Sequence, residues 1–100
     1  MVTISVTRYR TVAVLNAAAD KVADEAWGWE PLRQPLMRAI DEAAGYSTPG
    51  VDQAAEDTTL LAYDAICEHV AFPVGEWEQT PGLTAADVAE AMREAAKAVA

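Results

Sequence analysis

The chain has 100 residues, of which 16 are acidic and 7 are lysine or arginine, giving a net charge of -9 at pH 7. Direct binding to nucleic acid or to an anionic membrane surface is disfavoured, since both partners are negatively charged. No apolar run approaches the roughly 18–20 residues that span a bilayer. A chain of this length predicts one domain, with residues 1–10 as an N-terminal strand or arm and residues 11–100 as a helical core.

The negative charge lies mostly in the middle of the chain. The first 38 residues hold five basic groups against four acidic ones. Between Arg38 and Arg93 there is no lysine or arginine, although eleven acidic residues occur there. They are Asp41, Glu42, Asp52, Glu56, Asp57, Asp64, Glu68, Glu76, Glu78, Asp87 and Glu90. This asymmetry predicts a basic protein partner.

The N-terminal segment alternates β-branched apolar residues with Thr and Ser. Val2, Ile4 and Val6 occupy every second position, which predicts a short strand over residues 2–7. Because a lone strand leaves its backbone groups unpaired, we expect it to pair with its copy in a homodimer or to add to a partner's sheet edge. The alternative is a flexible arm.

Two helices are predicted next. The first runs from about Thr11, as N-cap, to Ala26, with Gly28 after its end. Its apolar stripe is formed by Val12, Leu15, Ala19, Val22 and Ala26. The second has Pro31 or Pro35 in its first turn and closes at Gly45.

A third helix is predicted from Val51 or Asp52 to Val70 or Ala71. It is apolar over much of its circumference, which indicates a central position in the fold. Its apolar set is Ala55, Leu60, Leu61, Tyr63, Ile66, Cys67 and Val70. Asp57, Asp64 and Glu68 share its predicted solvent face.

The fourth helix follows a break at residues 72–75 and a loop at residues 77–82. Thr84 and Asp87 have the spacing of a capping box, and Leu83 and Val88 that of a hydrophobic staple. Its predicted buried stripe is Val88, Met92, Ala95 and Val99. The predicted fold class is therefore all-α, a compact four-helix bundle-like domain with a short extended N-terminal segment.

Four runs stand out in the helical part of the sequence: residues 15–22 (LNAAADKV), Ala26-Trp27, residues 37–45 (MRAIDEAAG) and residues 77–88 (WEQTPGLTAADV). They resemble an uncharacterised family of small helical proteins found in actinobacteria and their bacteriophages. Glu78-Gln79 stand where the family usually has Asn-Asp. The resemblance implies an all-helical core over about residues 11–99 and a phage or actinobacterial origin, and it implies no reaction and no cofactor.

Reactive groups are sparse. Asp64, Glu68 and His69 come closest to a metal cluster, but their spacing matches no di-metal or zinc pattern, so a solvated acidic face is predicted instead. Cys67 lies among carboxylates, which disfavour a thiolate, and its position beside Tyr63 predicts a packed core thiol. No metal, cofactor or catalytic residue is expected.

Three tryptophans lie near predicted helix ends. Trp27 and Trp77 are predicted to cover the ends of the core. For Trp29, beside Glu30-Pro31, a contact with a binding partner and packing against the core are both consistent with the sequence. The lone cysteine and the lack of a visible secretory signal favour a cytoplasmic location, that of the bacterial host if the protein is phage-encoded.

The sequence favours a non-enzymatic, acidic protein-interaction module, a phage or actinobacterial accessory protein that binds a host or self partner. The predicted partner-binding residues are Asp57, Asp64, Glu68, Trp29, Val2, Ile4 and Val6. A sharper version is nucleic-acid mimicry, with the three carboxylates standing in for phosphates. The alternatives are a small structural oligomer, such as an assembly component, and a ligand-binding domain with a pocket between the second and third helices.

Overall fold

Helices form the regular structure of residues 2–28, 34–46 and 52–100, which are the residues that the computed structural model describes. For residues 2–7 and Glu25 the description covers the backbone only. The predicted all-α, bundle-like class is confirmed. The elements are α1 (Val2–Ala23), a 3₁₀ turn (Glu25–Trp27), α2 (Pro35–Ala44), α3 (Gln53–Val70), the one-turn α4 (Val74–Trp77) and α5 (Ala85–Val99).

The predicted N-terminal strand is wrong, because residues 2–10 are the start of α1. Thr11, predicted as an N-cap, lies within this helix and is buried. A helix pairs its backbone groups within the segment, whereas a lone strand cannot. Lengthening a helix needs no new nucleus, and each β-branched residue costs only a fraction of a kcal/mol. The proposed strand-paired homodimer therefore loses its basis.

The core is centred on α1, not on the third predicted helix. α1 packs most extensively against α5 and α2, and it also contacts α3. Leu60 and Leu61 of α3, predicted to be part of the apolar side, are instead exposed. The largest fully buried apolar side chains are Leu15, Leu36, Ile40, Ile66, Val88 and Met92.

Local signals place the start and end of α2 correctly. Pro35 occupies the first turn, where its missing N–H removes no hydrogen bond. Gly45 ends the helix in the left-handed conformation, with φ of 76°, as predicted. Gly28, after the 3₁₀ turn, also has a positive φ. Pro31, the other predicted helix start, lies outside the described residues.

The later helix boundaries also follow their caps. The Asp52 side chain accepts a hydrogen bond from the Ala55 N–H at the start of α3. The Thr84–Asp87 capping box of α5 is present in both directions. One helical turn, α4, overlaps the end of the predicted break and the start of the predicted loop. Within the described ranges, none of the helices has the length and apolarity needed to cross a bilayer.

Candidate functional site

Three carboxylates predicted to share one side of a helix do so on α3. Asp57, Asp64 and Glu68 are all exposed, and the opposite side of α3 is buried through Ala55, Ala62 and Ile66. At about 1.5 Å of rise per residue, Asp64 lies about 10.5 Å along the axis from Asp57 and about 6 Å from Glu68. The three charges therefore form a row on the side that points away from the core.

No cation neutralises this row within the described part of the chain. Asp64 and Glu68 make no hydrogen bond or ion pair there. Asp57 accepts a hydrogen bond from the neutral side chain of Gln53 at 2.8 Å. The described ion pairs lie elsewhere, at Lys21–Glu42, Arg93–Asp20 and Lys97–Glu94.

One leucine lies on each side of this row of carboxylates. Leu60 is 53% exposed and Leu61 is 41% exposed. At 100° per residue they fall on opposite sides of the line through Asp57, Asp64 and Glu68. We call these five residues the outer face of α3. It combines carboxylates that have no cationic partner among the described residues with two partly exposed apolar side chains.

Other acidic residues of the same stretch have structural partners. The Glu42 carboxylate pairs with the Lys21 ammonium at 2.8 Å. Asp52 caps α3, and Asp87 caps α5. These contacts account for part of the negative charge without invoking a partner, whereas Glu76 and Glu90 are exposed and, like Asp64 and Glu68, have no described partner.

Glu78 is the strongest exception to the picture of a solvated acidic surface, because its side chain is fully buried. Its Oε1 atom accepts a 2.6 Å hydrogen bond from the Leu36 N–H, and the Met37 N–H also donates to the carboxylate. Pro35 has no N–H, and the side chain of Gln34, at the N-cap position, makes no cap hydrogen bond. The Glu78 carboxylate therefore satisfies the donors that open α2.

The pKa of Glu78 is raised from its ordinary value, because burial penalises the charged form. The two backbone N–H groups and the nearby Arg38 oppose this shift without cancelling it. The second oxygen, Oε2, is buried and has no hydrogen-bond partner in the described structure. Such an arrangement holds a proton more firmly than a solvated carboxyl does.

A second acid lies close to this position. The Tyr63 hydroxyl donates a 2.5 Å hydrogen bond to Asp41 Oδ1, and it lies 3.3 Å from the Met37 carbonyl. Burial raises the pKa of Asp41, and the hydrogen bond from Tyr63 partly offsets that rise. Burial and the neighbouring carboxyls also raise the pKa of Tyr63, so its hydroxyl stays protonated. We call Glu78, which is fully buried, and the half-buried Tyr63 and Asp41 the buried acid cluster.

Sequence reasoning missed Glu78 because it lies in a predicted loop and acts on a helix 42 residues away in the chain. One signal pointed to such a residue. The second helix has Pro35 in its first turn and Gln34 before it, a residue that is a poor N-cap. A helix start without a local cap needs an acceptor from elsewhere, although the sequence does not say which one.

Trp27 covers one end of the core, as predicted. Its ring packs against the buried residues, and its Nε1 donates to the Pro35 carbonyl at 3.1 Å. The cationic groups of Arg38 and Lys21 lie 4.9 and 5.5 Å from its ring centre. Trp77 also packs against the core. Both tryptophans therefore have structural roles.

The other predicted site residues are not brought to the outer face of α3. Val2, Ile4 and Val6 lie in the first turns of α1, where the structure describes the backbone only. Trp29 lies outside the described residues. Cys67 is a half-buried free thiol packed against the core, and His69 is exposed. The described residues contain no group of three potential metal ligands.

An open groove of about 390 Å³ lies where α1, the end of α2 and the start of α3 meet. Its walls are mostly small side chains, among them Ala13, Ala43 and Ala54. Tyr9 and Arg10 contribute to its lining from α1. The predicted pocket lay between the second and third helices, whereas this groove is also formed by α1, and Asp52 in its lining already caps α3.

Comparisons with known proteins return no relative of this chain. No protein-family model, no curated protein and no solved structure matches it. The resemblance to the actinobacterial and phage family stays a prediction carried by the motifs themselves.

Proposed function

We propose that this chain is a non-enzymatic protein-interaction module that binds a basic protein through the outer face of α3. The observation that supports this function is the pairing of uncompensated carboxylates with two half-exposed leucines on one helix face. Asp64 and Glu68 repel each other at a four-residue spacing, at a small cost in helix stability. A basic partner would relieve that repulsion.

The two kinds of side chain would contribute differently to binding. The carboxylates increase the rate of encounter with a basic surface and discriminate against acidic proteins. Leu60 and Leu61 supply apolar area, and its removal from water stabilises a complex by about 25 cal/mol for each Å². A partner that fits would present basic groups around an apolar patch.

A sharper form of the proposal is nucleic-acid mimicry, in which the row of carboxylates occupies phosphate sites on a DNA-binding protein. This form predicts competition with duplex DNA and a steep loss of affinity as salt rises. A partner whose affinity is the same at low and high salt would rule the mimicry out. It would leave the leucines as the main source of binding.

The experiment is affinity capture from an actinobacterial lysate, the setting that the family resemblance implies for an accessory protein of the bacterial cytoplasm. The bait is the full chain, compared with an Asp64→Asn/Glu68→Gln variant. A matched control, Glu76→Gln/Glu90→Gln, removes the same charge at other exposed positions. We expect the partner to be lost only with the α3 variant. Equal capture by all three baits would refute the proposal.

Ligand binding is the second candidate function, and the groove beside α3 supports it. The Arg10 guanidinium and the Tyr9 ring would suit a small anion with an apolar part. Titration with a small set of aromatic carboxylates, followed by amide NMR, tests this candidate. Shifts confined to Ala43, Ala54 and their neighbours are expected, and an unchanged spectrum at saturating ligand would exclude it.

A further inference from the structure

Near the start of α1, Tyr9 and Arg10 line the open groove that α1 forms with α2 and α3. Arg8, Tyr9 and Arg10 are consecutive helical residues, and all three are exposed. Successive helix positions are about 100° apart, so three of them face most directions around the axis. Thr11 is the first buried side chain of the described part of α1. We call residues 8–10 the basic arm.

The basic arm has the features of a helix that lacks a packing partner. Tyr9 is 76% exposed, and an arginine lies on each side of it around the helix. Ala13, four residues further along the same side, is also exposed. The segment that leads into the arm is rich in Val, Ile and Thr, which favour a helix weakly. Such a segment gains from contact with another surface, since short isolated helices are marginal in water.

Most described cations outside the arm are already engaged. Lys21, Arg93 and Lys97 are in ion pairs, and Arg38 lies over the Trp27 ring. Within the described ranges, Arg8 and Arg10 have no recorded partner, and the same is true of Asp64 and Glu68. The unpaired positive groups and the unpaired negative groups lie on different elements of one molecule.

From this complementarity we propose that the chain binds a second copy of itself, with the basic arm of each copy docked on the outer face of α3 of the other. Arg8 and Arg10 would face Asp57, Asp64 and Glu68, and Tyr9 would pack against the exposed leucines. Two reciprocal contacts close a two-fold dimer and leave neither surface open. The inference rests on the proposed function, since it names a self partner for the same face.

Net charge opposes this association, because each copy carries -9. The repulsion acts over long distances and is largely screened at about 0.15 M salt, where the Debye length is about 8 Å. Ion pairs in direct contact are screened less. Dimerisation is therefore strongest at intermediate salt and weaker both in very dilute buffer, where repulsion grows, and at about 1 M, where the contacts themselves are screened.

The test is sedimentation velocity of the full chain over a range of concentrations. We expect a reversible dimer in the wild type. In an Arg8→Glu/Arg10→Glu variant, like charges would oppose each other, and we expect association to weaken about a hundredfold or more. An Asp64→Lys/Glu68→Lys variant should lose it to the same degree. Circular dichroism checks that both variants keep their helix content.

Mixing the two variants provides the decisive measurement. In the mixed pair, the acidic arm of the first variant meets the basic α3 face of the second, and the unchanged arm of the second meets the unchanged face of the first. The mixed pair carries the same total charge as the wild-type dimer, so a heterodimer should form. A monomeric wild type, an undisturbed dimer in the arm variant, or no heterodimer in the mixture would each overturn the inference. A monomeric chain that still captures a basic partner through α3 would overturn the inference alone and leave the proposed function standing.

Discussion

The buried acid cluster and the outer face of α3 come from the same lysine-free and arginine-free stretch, yet they differ in what their carboxylates do. Glu78 is fully buried and accepts hydrogen bonds from two backbone N–H groups of α2. Asp64 and Glu68 are exposed and have no described partner. Composition does not distinguish these roles. The backbone donors at the start of α2 hold Glu78 in the core, and no contact among the described residues accounts for Asp64 and Glu68.

The buried carboxylate of Glu78 supports the fold, whereas the exposed carboxylates of Asp64 and Glu68 are the ones proposed to bind a partner. Removal of a carboxylate from the buried acid cluster should lower stability, whereas removal from the outer face of α3 should abolish binding and change stability only slightly. An acidic protein can therefore not be described by its net charge, because some of its charges are structural. Substitutions in each group of carboxylates test this division.

Glu78→Ala should lower the free energy of unfolding by about 3 kcal/mol, because it leaves two buried N–H groups without an acceptor and opens a cavity. Asp64→Ala, on an exposed face, should change it by about 0.5 kcal/mol or less. Urea denaturation followed by circular dichroism measures both. Similar losses in the two variants would mean that the division between structural and surface carboxylates is wrong.

The contribution of Glu78 and Asp41 to the free energy of unfolding should fall as the pH rises from the acidic range, because both carboxyls have a raised pKa in the folded state. Below the ordinary glutamate pKa of 4.5, Glu78 is protonated in the folded and unfolded chain alike. As the pH rises, the unfolded chain releases its proton first, since the folded pKa is raised. The unfolded state therefore binds fewer protons and is increasingly favoured until the pH passes the folded pKa.

The matched variants for this pH dependence are Glu78→Gln and Glu68→Gln. Glu78→Gln keeps an acceptor for the Leu36 N–H and cannot ionise, so its stability should decline less between acidic and neutral pH. Glu68→Gln, on the outer face of α3, should follow the wild type. Urea midpoints measured across this pH range provide the comparison. A Glu78→Gln profile parallel to that of the wild type would show that Glu78 does not titrate differently in the two states.

Tyr63→Phe should cost about 1 kcal/mol, because the half-buried Asp41 carboxyl loses its hydrogen-bond donor. Tyr9→Phe is the control, since the Tyr9 side chain is 76% exposed. A double-mutant cycle with Asp41→Asn isolates the interaction between Tyr63 and Asp41. Additive losses in the cycle would mean that the 2.5 Å contact contributes nothing to stability.

The sequence predicted features that depend on neighbouring residues. The start of α3 near Asp52, the capping box of Thr84 and Asp87, and the end of α2 at Gly45 are each set by residues within one helical turn. Glu78 could not be found in this way, because its partner on α2 is remote in sequence. The strand predicted for the N-terminal segment was wrong for a related reason. Its period-two pattern favours a strand, but a strand needs a second strand to pair with, and the following helix offers a continuation at lower cost.

The outer face of α3 was predicted better than the core beside it. The four-residue spacing of Asp64 and Glu68 is enough to place both on one side of a helix, and the structure has them exposed. The same periodicity did not reveal that Leu60 and Leu61 flank them on that side. Apolar residues cover more of the circumference of α3 than the neighbouring helices bury, so Leu60 and Leu61 remain exposed to solvent.

Glu68→Lys offers the most sensitive test, because stability and binding should move in opposite directions. The new ammonium would lie four residues after Asp64, in the favourable acid-before-base order, and near the C-terminus of α3, where a cation suits the helix dipole. We expect the free energy of unfolding to rise by about 0.5 kcal/mol. Capture of a basic partner should be lost, since the C-terminal end of the acidic row would become positive and would neutralise the neighbouring Asp64.

Glu90→Lys, on the exposed side of α5, makes the same change in net charge and should retain capture. The urea midpoint and the captured fraction are measured on the same preparations. A destabilised Glu68→Lys variant would place Glu68 with Glu78 among the structural carboxylates. A stabilised variant that binds as before would instead mean that the repulsion on α3 serves no partner. Higher stability with lost binding is the combination that only an uncompensated, partner-facing charge produces.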